Sequence, residues 1–345
     1  MKFSRACLHS FGYELPPNVV TSEAIEQRLE PVYTRLKLPF GRLELMSGIR
    51  ERRFWDRGTQ PSDAAALAGK KALDASGMAP EDIQCLIFTS VSRDMLEPAS
   101  ASFVHRLLGL PEKCLVFDIS NACLGFLDGM ILLANMIELG QVKRGLIVSG
   151  ETAEDLMEST LQRLLADSAL TRKSIKSSFA SMTIGSGSVA LVMCDAEESL
   201  SGYMLTDGVY RANTSHNHLC QGDLGSGQGT LMATDSEELL KRGVETASAT
   251  WSDFVQQTGW VPESIDRFFC HQVGSAHAKL LFESLGIDQK KNFETLAFLG
   301  NVGSVSAPVT MAMGIEQGKF ARGQRAAILG IGSGINCLML AVDAT

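Results

Sequence analysis

The sequence predicts an α/β protein built from two similar halves. Short apolar segments alternate with helical patterns along the chain, which is typical of strands and helices packed in layers. The alternation starts again near Ser199, and the elements then follow in a similar order. A length of 345 residues fits two domains or one large α/β domain. We therefore expect a duplicated unit with pseudo-twofold symmetry, divided into residues 1–196 and 197–345.

In the first half, short apolar runs predict buried strands, and Ala-rich or strongly apolar longer segments predict helices. In chain order these elements are an Ala-rich helix at 61–76, a strand at 83–90, a helix at 99–108, a strand at 114–119, a strongly apolar helix at 124–139, and strands at 145–150 and 188–194.

The second half repeats this alternation. In chain order it has a strand at 201–208, a long helix at 237–258, a strand at 265–271, helices at 276–285 and 304–317, and strands at 325–330 and 337–342. A polar loop rich in Gly at 214–229 interrupts the series. No low-complexity linker separates the halves, so we expect them to pack tightly against each other.

The composition excludes several classes of protein. Apolar residues make up 45% and charged residues 20% of the chain, so it can bury a substantial core. A net charge of −8 repels phosphate backbones and argues against a general nucleic-acid binder. The N-terminus has no apolar signal segment, and the longest uncharged stretches are broken by Gly and Ser, so we expect a cytoplasmic protein without membrane insertion. The eight cysteines are scattered without a CxxC pair, which favours reduced thiols.

Cys123 is the strongest candidate nucleophile. It lies in NACLGF, directly after a predicted strand and at the start of a predicted helix. A helix N-terminus offers unpaired N–H groups and the positive end of the helix dipole, and both stabilise a thiolate. We therefore expect a reactive cysteine here, with a buried cysteine at a strand–helix turn as the alternative.

Three further residues lie at junctions between predicted elements. His271 follows an apolar strand, at the edge where open α/β sheets bind ligands, and Asn301 lies in a Gly-flanked turn. Each alone is more often a satisfied histidine or a turn asparagine. Together they suit acyl-thioester chemistry, in which Cys123 is acylated while His271 Nε2–H and Asn301 Nδ2–H stabilise an enolate oxygen. The Gly-rich turn at 330–336 could aim the backbone N–H of Ser333 at the oxyanion on acyl-Cys123.

The run of His216, His218 and Cys220 could present three ligands on one face of an extended chain. Because a fourth ligand and a CxxC pair are both missing, we interpret the run as part of a loop near the substrate entrance. We expect no metal and no organic cofactor, since the acyl-thioester chemistry considered above requires neither.

Six segments, in order across nearly the whole chain, are similar to a known family. They are SGIRERRF (47–54), NACLGF (121–126), TIGSGSVALV (183–192), CHQ (270–272), GNVGSVSAP (300–308) and GIGSGIN (330–336). The chain resembles the thiolase superfamily, in the branch of 3-ketoacyl-acyl-carrier-protein synthase III. The resemblance implies a duplicated five-layer αβαβα fold, a homodimer, and a Cys–His–Asn site whose roles fall on Cys123, His271 and Asn301.

Three positions depart from the acetyl-CoA-primed members of that branch. Those enzymes carry a Trp and an Arg that clasp the CoA adenine, where this chain has Arg42 and Met46. They carry a further Arg where this chain has Ala276. The resemblance therefore implies that docking of CoA or of a carrier protein differs in detail. The nearby cationic run at 50–53 is interpreted as a solvated face, with contact to CoA phosphates as the alternative.

Glu97 lies in DMLEP, where bacterial synthases of this branch usually carry an aromatic residue that lines the partner subunit's acyl pocket. A decarboxylating enzyme needs no base, whereas a non-decarboxylating Claisen condensation must remove an α-proton. A partly buried glutamate can be that base, because desolvation raises its basicity. The segment resembles the OleA enzymes, in which this Glu enters the neighbouring subunit's site. The alternative is a solvated residue before Pro98.

The resemblance implies an acyltransferase of lipid metabolism that forms a carbon–carbon bond. Two acyl-CoA molecules are joined head to head into a 2-alkyl-3-ketoacid through an acyl-cysteine intermediate. The first alternative is a decarboxylating 3-oxoacyl-acyl-carrier-protein synthase III of fatty acid biosynthesis, with acyl-carrier protein as a partner. A cysteine hydrolase is a distant alternative, disfavoured because the local signature of papain-like cysteines is absent.

Overall fold

The computed structural model describes residues 1–199, 202–223 and 231–345. These residues form thirteen strands: β1 (Ala6–Glu14), β2 (Asn18–Thr21), β3 (Glu51–Phe54), β4 (Cys85–Phe88), β5 (Leu115–Asp118), β6 (Arg144–Glu151), β7 (Gly187–Asp195), β8 (Tyr203–Ala212), β9 (Cys220–Asp223), β10 (Leu231–Thr234), β11 (Arg267–Cys270), β12 (Arg325–Gly332) and β13 (Asn336–Ala344). The same residues form eleven α-helices: α1 (Ser22–Arg28), α2 (Glu30–Leu36), α3 (Arg42–Ser47), α4 (Pro61–Ser76), α5 (Ser100–Leu108), α6 (Gly125–Glu138), α7 (Glu154–Ala166), α8 (Ser236–Thr258), α9 (Ser275–Leu285), α10 (Leu296–Leu299) and α11 (Ser306–Glu316).

The main sheet has the strand order β11-β12-β13-β8-β1-β7-β6-β4-β5. In the first half, β1 and β6 lie antiparallel on either side of β7, and β4 lies parallel to β6. In the second half, β8 and β12 lie antiparallel on either side of β13, and β11 lies parallel to β12. The same order and directions occur twice, which is the duplication that the sequence predicts. The two half-sheets meet where Cys7 of β1 pairs with Met204 of β8.

The elements stack in five layers. Helices α6 and α11 form the central layer and share one core with both half-sheets, including Ile87 of β4 and Ile328 of β12. Helices α4 and α5 cover the outer face of the first half-sheet, where Leu86 lies. Helices α8 and α9 cover the outer face of the second, where Ala327 lies. Adjacent residues of one strand therefore pack into cores on opposite faces of the sheet, because successive side chains point to opposite faces.

The structure corrects the interpretation of 214–229 as a continuous polar loop. Thr214–Leu219 forms a 3₁₀ turn, and β9 pairs antiparallel with β10. The remaining loop positions, 224–229, lie outside the described residues. The predicted division at 196/197 falls between β7 and β8 and stays a prediction.

Among the helices of the described ranges, none combines the length and the apolar character that crossing a membrane requires.

Candidate active site

Cys123 lies on a tight turn between β5 and α6. Ala122 before it adopts a φ of +46°, a conformation that is uncommon for a residue with a side chain. The side chain of Asn121 fixes the turn from two directions. Its Nδ2 donates to Asp128 Oδ2 of α6 at 2.8 Å, and its Oδ1 accepts from Asn336 Nδ2 of β13 at 3.1 Å. The predicted nucleophile is therefore held between its own helix and a strand of the other half.

The structure contradicts the expectation that Cys123 is a stabilised thiolate. Burial raises the pKa of the Cys123 thiol, the charge of Glu151 raises it further, and the result is a pKa of about 12. The backbone N–H groups of Cys123 and Ser333 point at the sulfur and lower the pKa, but by less. The residue as a whole is half-buried, but the surrounding protein strongly desolvates the thiol. The group is therefore a neutral thiol near pH 7.

The turn that carries Ser333 lies directly against the nucleophile. It connects β12 to β13. A Cβ added at Gly330 would lie 2.6 Å from Leu124 Cδ2, so only a glycine lets the end of β12 approach the start of α6 this closely. Ser333 Oγ donates to Cys220 Sγ at 3.2 Å. The backbone N–H of Ser333 lies against the Cys123 thiol, and contact with β9 supports its turn. Its predicted role as a donor to the oxyanion of acyl-Cys123 stays a prediction.

His271 follows the carboxyl end of β11. Its backbone N–H donates to the Leu329 carbonyl at 2.9 Å, and the next residue, Gln272, accepts from the Leu296 N–H at 2.7 Å. The imidazole is buried, and its Nδ1 has no partner within the described part of the chain. Burial lowers the pKa of His271 to about 4, and the charge of His277 contributes. The ring is therefore neutral near pH 7, and its single N–H can serve as a donor.

Asn301 is buried on the turn before α11. Its Oδ1 accepts from the Gly303 N–H at 3.1 Å, and its backbone N–H donates to the Thr183 carbonyl at 3.0 Å. Because Oδ1 is engaged, the end of the side chain that can serve a ligand is Nδ2, a donor. The role of Asn301 as a donor to an enolate oxygen stays a prediction.

The fold brings these junctions to one edge of the layers. Cys123 and Ser333 lie in contact. The turn of Asn301 reaches the nucleophile helix, because Ser304 Oγ accepts from the Phe126 N–H at 3.0 Å. His271 follows β11, the parallel neighbour of the strand that leads to Ser333. Cys123, His271 and Ser333 follow the carboxyl ends of parallel strands, where α/β sheets bind ligands. Asn301 precedes the central helix α11.

Glu97 lies on an exposed loop between β4 and α5. The base of the loop is anchored: Asp94 Oδ1 accepts from Ser62 Oγ at 2.6 Å, and the Asp94 N–H donates to Ser100 Oγ at 3.1 Å. Beyond Asp94 the loop is exposed, and Leu96 has 89% of its surface accessible. Glu97 is exposed as well, so its own chain does not provide the partial burial that we expected.

The positions that depart from the CoA-binding pattern lie close together. Arg42 begins α3, Met46 lies on it and is 44% exposed, and Ala276 lies in the first turn of α9, against which α3 packs. The interpretation of the cationic run as a solvated face is wrong for Arg52. This side chain is fully buried and donates to the carbonyl of Met182 at 3.1 Å. Its burial lowers the pKa of the guanidinium to about 10.

Sequence reasoning missed two residues beside the nucleophile. Glu151 ends β6 and is buried, and its charge acts on Cys123. Nothing in its local sequence marks it, because an acidic residue at the end of an apolar run usually faces solvent. Cys220 was noted only as part of a loop, and it lies against Ser333.

This fold and site define a condensing enzyme of the synthase III type. The family model described as 3-Oxoacyl-[acyl-carrier-protein (ACP)] synthase III matches residues 117–171, and that of its C-terminal part matches residues 255–343. At the level of whole chains, the protein is 41% identical to the acyl-CoA:acyl-CoA alkyltransferase of Shewanella oneidensis, over 99% of both chains. It is 26% identical to the β-ketoacyl-[acyl-carrier-protein] synthase III of Neisseria meningitidis, over 94% of both.

A solved structure of an OleA protein also resembles this chain, in agreement with the higher identity to the alkyltransferase. It is a cysteine-to-serine variant of Xanthomonas campestris OleA with bound lauric acid and lauroyl-CoA, with a TM-score of 0.94, 38% identity and 99% of both chains covered. The chain belongs to the OleA family of acyl-CoA:acyl-CoA alkyltransferases, which have the thiolase fold. It is therefore an acyltransferase, and the hydrolase alternative is excluded.

Proposed function

We propose that the protein joins two fatty acyl-CoA molecules by a non-decarboxylating Claisen condensation and forms a 2-alkyl-3-ketoacid. The observation that carries the proposal is the carboxylate of Glu97 on an exposed loop, in a chain 41% identical to an alkyltransferase. A decarboxylating synthase has no use for a base at this position. The lower identity to a synthase III, 26%, points the same way.

In the first step, Cys123 Sγ attacks the thioester carbonyl of one acyl-CoA. The new S–C bond forms as the bond to the CoA sulfur breaks, and the thiol proton leaves with coenzyme A. The N–H groups of Cys123 and Ser333 already point at this sulfur, so they lie beside the carbonyl oxygen that becomes negative. Because the thiol has a pKa of about 12, its proton must depart as the new bond forms.

In the second step, Glu97 removes an α-proton from a second acyl-CoA. The enolate oxygen is held by the N–H of the neutral His271 ring and by Asn301 Nδ2. The enolate carbon then attacks acyl-Cys123 and expels the Cys123 thiolate, which takes up the proton from Glu97. Hydrolysis of the remaining CoA thioester by water gives the 2-alkyl-3-ketoacid.

We propose that Glu97 acts in the site of a second subunit of a homodimer. Its loop is exposed on its own chain, and Leu96 beside it is too apolar to favour water. Strand β5 forms one edge of the main sheet, and Leu115 at its start is 50% exposed. An unprotected sheet edge next to an apolar loop is suited to pairing with another chain. In the dimer, the neighbouring subunit would bury Glu97 and raise its basicity.

The proposed chemistry uses no metal and no organic cofactor, because coenzyme A enters and leaves with the substrate. A long-chain acyl-CoA is an intracellular metabolite, so we propose a cytoplasmic location. We propose the CoA thioester, not the acyl-carrier protein, as the acyl donor, in agreement with the alkyltransferase relative.

The test is mass spectrometry of the products formed from myristoyl-CoA alone, without a malonyl donor. We expect the long-chain ketone that arises when the released β-ketoacid loses CO₂. If only acyl-Cys123 accumulates, and product appears after addition of malonyl-carrier protein, the enzyme is a decarboxylating synthase.

Substitution of Glu97 tests the base directly. We expect Glu97→Gln to be acylated on Cys123 as in the parent protein and to form no ketone. The exposed Glu30, changed to Gln on α2, is a matched control for loss of one surface carboxylate. Full ketone formation by Glu97→Gln would remove this residue from the mechanism.

A further inference from the structure

Glu151 is a buried carboxylate that the proposed steps do not use. It ends β6, and only 5% of its surface is accessible. Its Oε1 accepts from the Val91 N–H at 2.9 Å and from the Ser304 N–H at 3.1 Å. Its Oε2 accepts from the Ser92 N–H at 3.0 Å and from Ser92 Oγ at 2.9 Å. One side chain thus gathers four donors from two segments that are far apart in the sequence.

The first of these segments is the base of the loop that carries Glu97. Val91 and Ser92 directly precede that loop. Ser92 Oγ also accepts from the Thr152 N–H at 3.1 Å, which adds a second link to the end of β6. The hydrogen bonds to Glu151 therefore largely fix the position of the loop relative to the main sheet.

The second segment is the turn that carries Asn301. Asn301 Oδ1 binds the Gly303 N–H, and Ser304 follows with its N–H on Glu151. Gly303 has a φ of +53°, and a Cβ added there would lie 2.9 Å from Glu151 Oε1. The turn therefore lies flat against the carboxylate, with no room for a larger residue.

Ser304 extends the connection to the nucleophile. While its N–H donates to Glu151, its Oγ accepts from the Phe126 N–H in the first turn of α6. Cys123 lies two residues before the start of this helix. The chain of contacts thus runs from the Glu97 loop through Glu151 and Ser304 to the helix of Cys123.

The contacts also indicate the charge of Glu151. All four partners donate, and an ionised carboxylate accepts without donating, so the ionised form satisfies every group. Burial raises the pKa of Glu151, and the donated hydrogen bonds oppose that effect.

We propose that Glu151 is a positioning residue for the condensation step, which fixes the Glu97 loop and the Asn301 turn relative to each other and to the nucleophile helix. This inference rests on the proposed function. Because Glu97 serves the neighbouring subunit, Glu151 connects the site of its own chain with the base that this chain supplies to its partner. Misplacement of catalytic groups by about 1 Å can lower a rate about 100-fold.

The first variant is Glu151→Gln in the full-length protein. An amide keeps the shape but places an NH₂ group against either Ser92 or the pair Val91 and Ser304. We expect Cys123 of this variant to be acylated by myristoyl-CoA to the same final extent as in the parent protein, as measured by intact-protein mass spectrometry. We expect kcat for ketone formation to fall about 10- to 100-fold while KM changes little.

The pH profile gives a readout that a purely structural role would not change. Since the charge of Glu151 raises the pKa of Cys123, Glu151→Gln should alkylate faster with iodoacetamide at a given pH. Glu151→Asp keeps the charge but is too short to reach both segments. It should retain the parent alkylation profile and still lose condensation.

Two comparisons separate the possible failures. If the parent protein forms no ketone from myristoyl-CoA, the proposed function is wrong. If it forms ketone and folded Glu151→Gln does so at the parent rate, the positioning role is wrong. Should Glu151→Gln fail to fold, Ser92→Ala removes only one of the four donors, and an unchanged kcat in that variant overturns the proposal.

Discussion

Acidification should destabilise the folded protein through His271. The burial of this ring lowers its pKa from an ordinary 6.5 to about 4. In the unfolded chain the ring takes up a proton below about pH 6.5, whereas in the folded chain it stays neutral until about pH 4. Stability is therefore lost as the pH falls through this window. At ~1.4 kcal/mol per pKa unit, the complete loss is about 3 kcal/mol.

Urea unfolding of the parent protein and of His271→Asn at several pH values measures this contribution. Asparagine does not titrate, so the difference in unfolding free energy between the two proteins isolates the ring. We expect this difference to be constant above about pH 7 and to shift by about 3 kcal/mol in favour of the variant near pH 4. The pKa of His277 is also lowered by burial, but this residue is present in both proteins. A difference that stays constant from about pH 7 to about pH 4 would refute the reasoning.

Three further predictions follow from buried groups. Alkylation of Cys123 by iodoacetamide should keep accelerating up to about pH 9, because burial raises the pKa of the thiol to about 12; a plateau near pH 7 would show a thiolate instead. Arg52→Lys should lower the unfolding free energy in urea by about 1–3 kcal/mol, because the buried guanidinium donates to Ser22 Oγ and to the Val20 and Met182 carbonyls. Arg50→Lys, at an exposed arginine, is the control and should change the unfolding free energy by less than about 0.5 kcal/mol. Equal losses in the two variants would contradict the assignment. Gly303→Ala should destabilise the protein more than Gly323→Ala. Both glycines have a positive φ, but only at Gly303 would an added Cβ lie 2.9 Å from Glu151 Oε1. Thermal unfolding compares the two variants, and equal decreases in Tm would mean that the contact at Glu151 relaxes freely.

The sequence alone predicts the bounds of those elements whose ends carry clear start and stop residues. Helix α4 runs from Pro61 to Ser76 as predicted, because a proline begins it and Gly77 ends it in the left-handed conformation. Strand β1 was not predicted, although it lies at the centre of the main sheet. Its alternation is broken by His9 and Ser10, where the register with β7 shifts. A bulge of this kind removes the period-two pattern on which strand prediction depends.

Some residues of the candidate site could likewise be proposed from the sequence, and others could not. Cys123, His271 and Asn301 could be proposed as candidates because they lie together at element junctions and in motifs that resemble a known family, and their roles stay predictions. Glu151 could not, because its role is created by contacts with Val91 and Ser304, which are 60 and 153 residues away in the sequence. The burial of a charged side chain depends on tertiary neighbours, and no local pattern reports it.

The high pKa of Cys123 fits an enzyme whose acyl intermediate must wait for a second substrate. Burial and the charge of Glu151 disfavour the thiolate, but they act little on the neutral thioester of acyl-Cys123. Attack by coenzyme A, by water or by the enolate would release that same thiolate, so the strength of the nucleophile decides which of these reactions proceeds. In the proposed mechanism, the N–H groups of Cys123 and Ser333 would stabilise the negative charge that the carbonyl oxygen carries during the attack. Acyl-Cys123 therefore resists water and still permits attack by the enolate, a stronger nucleophile than water.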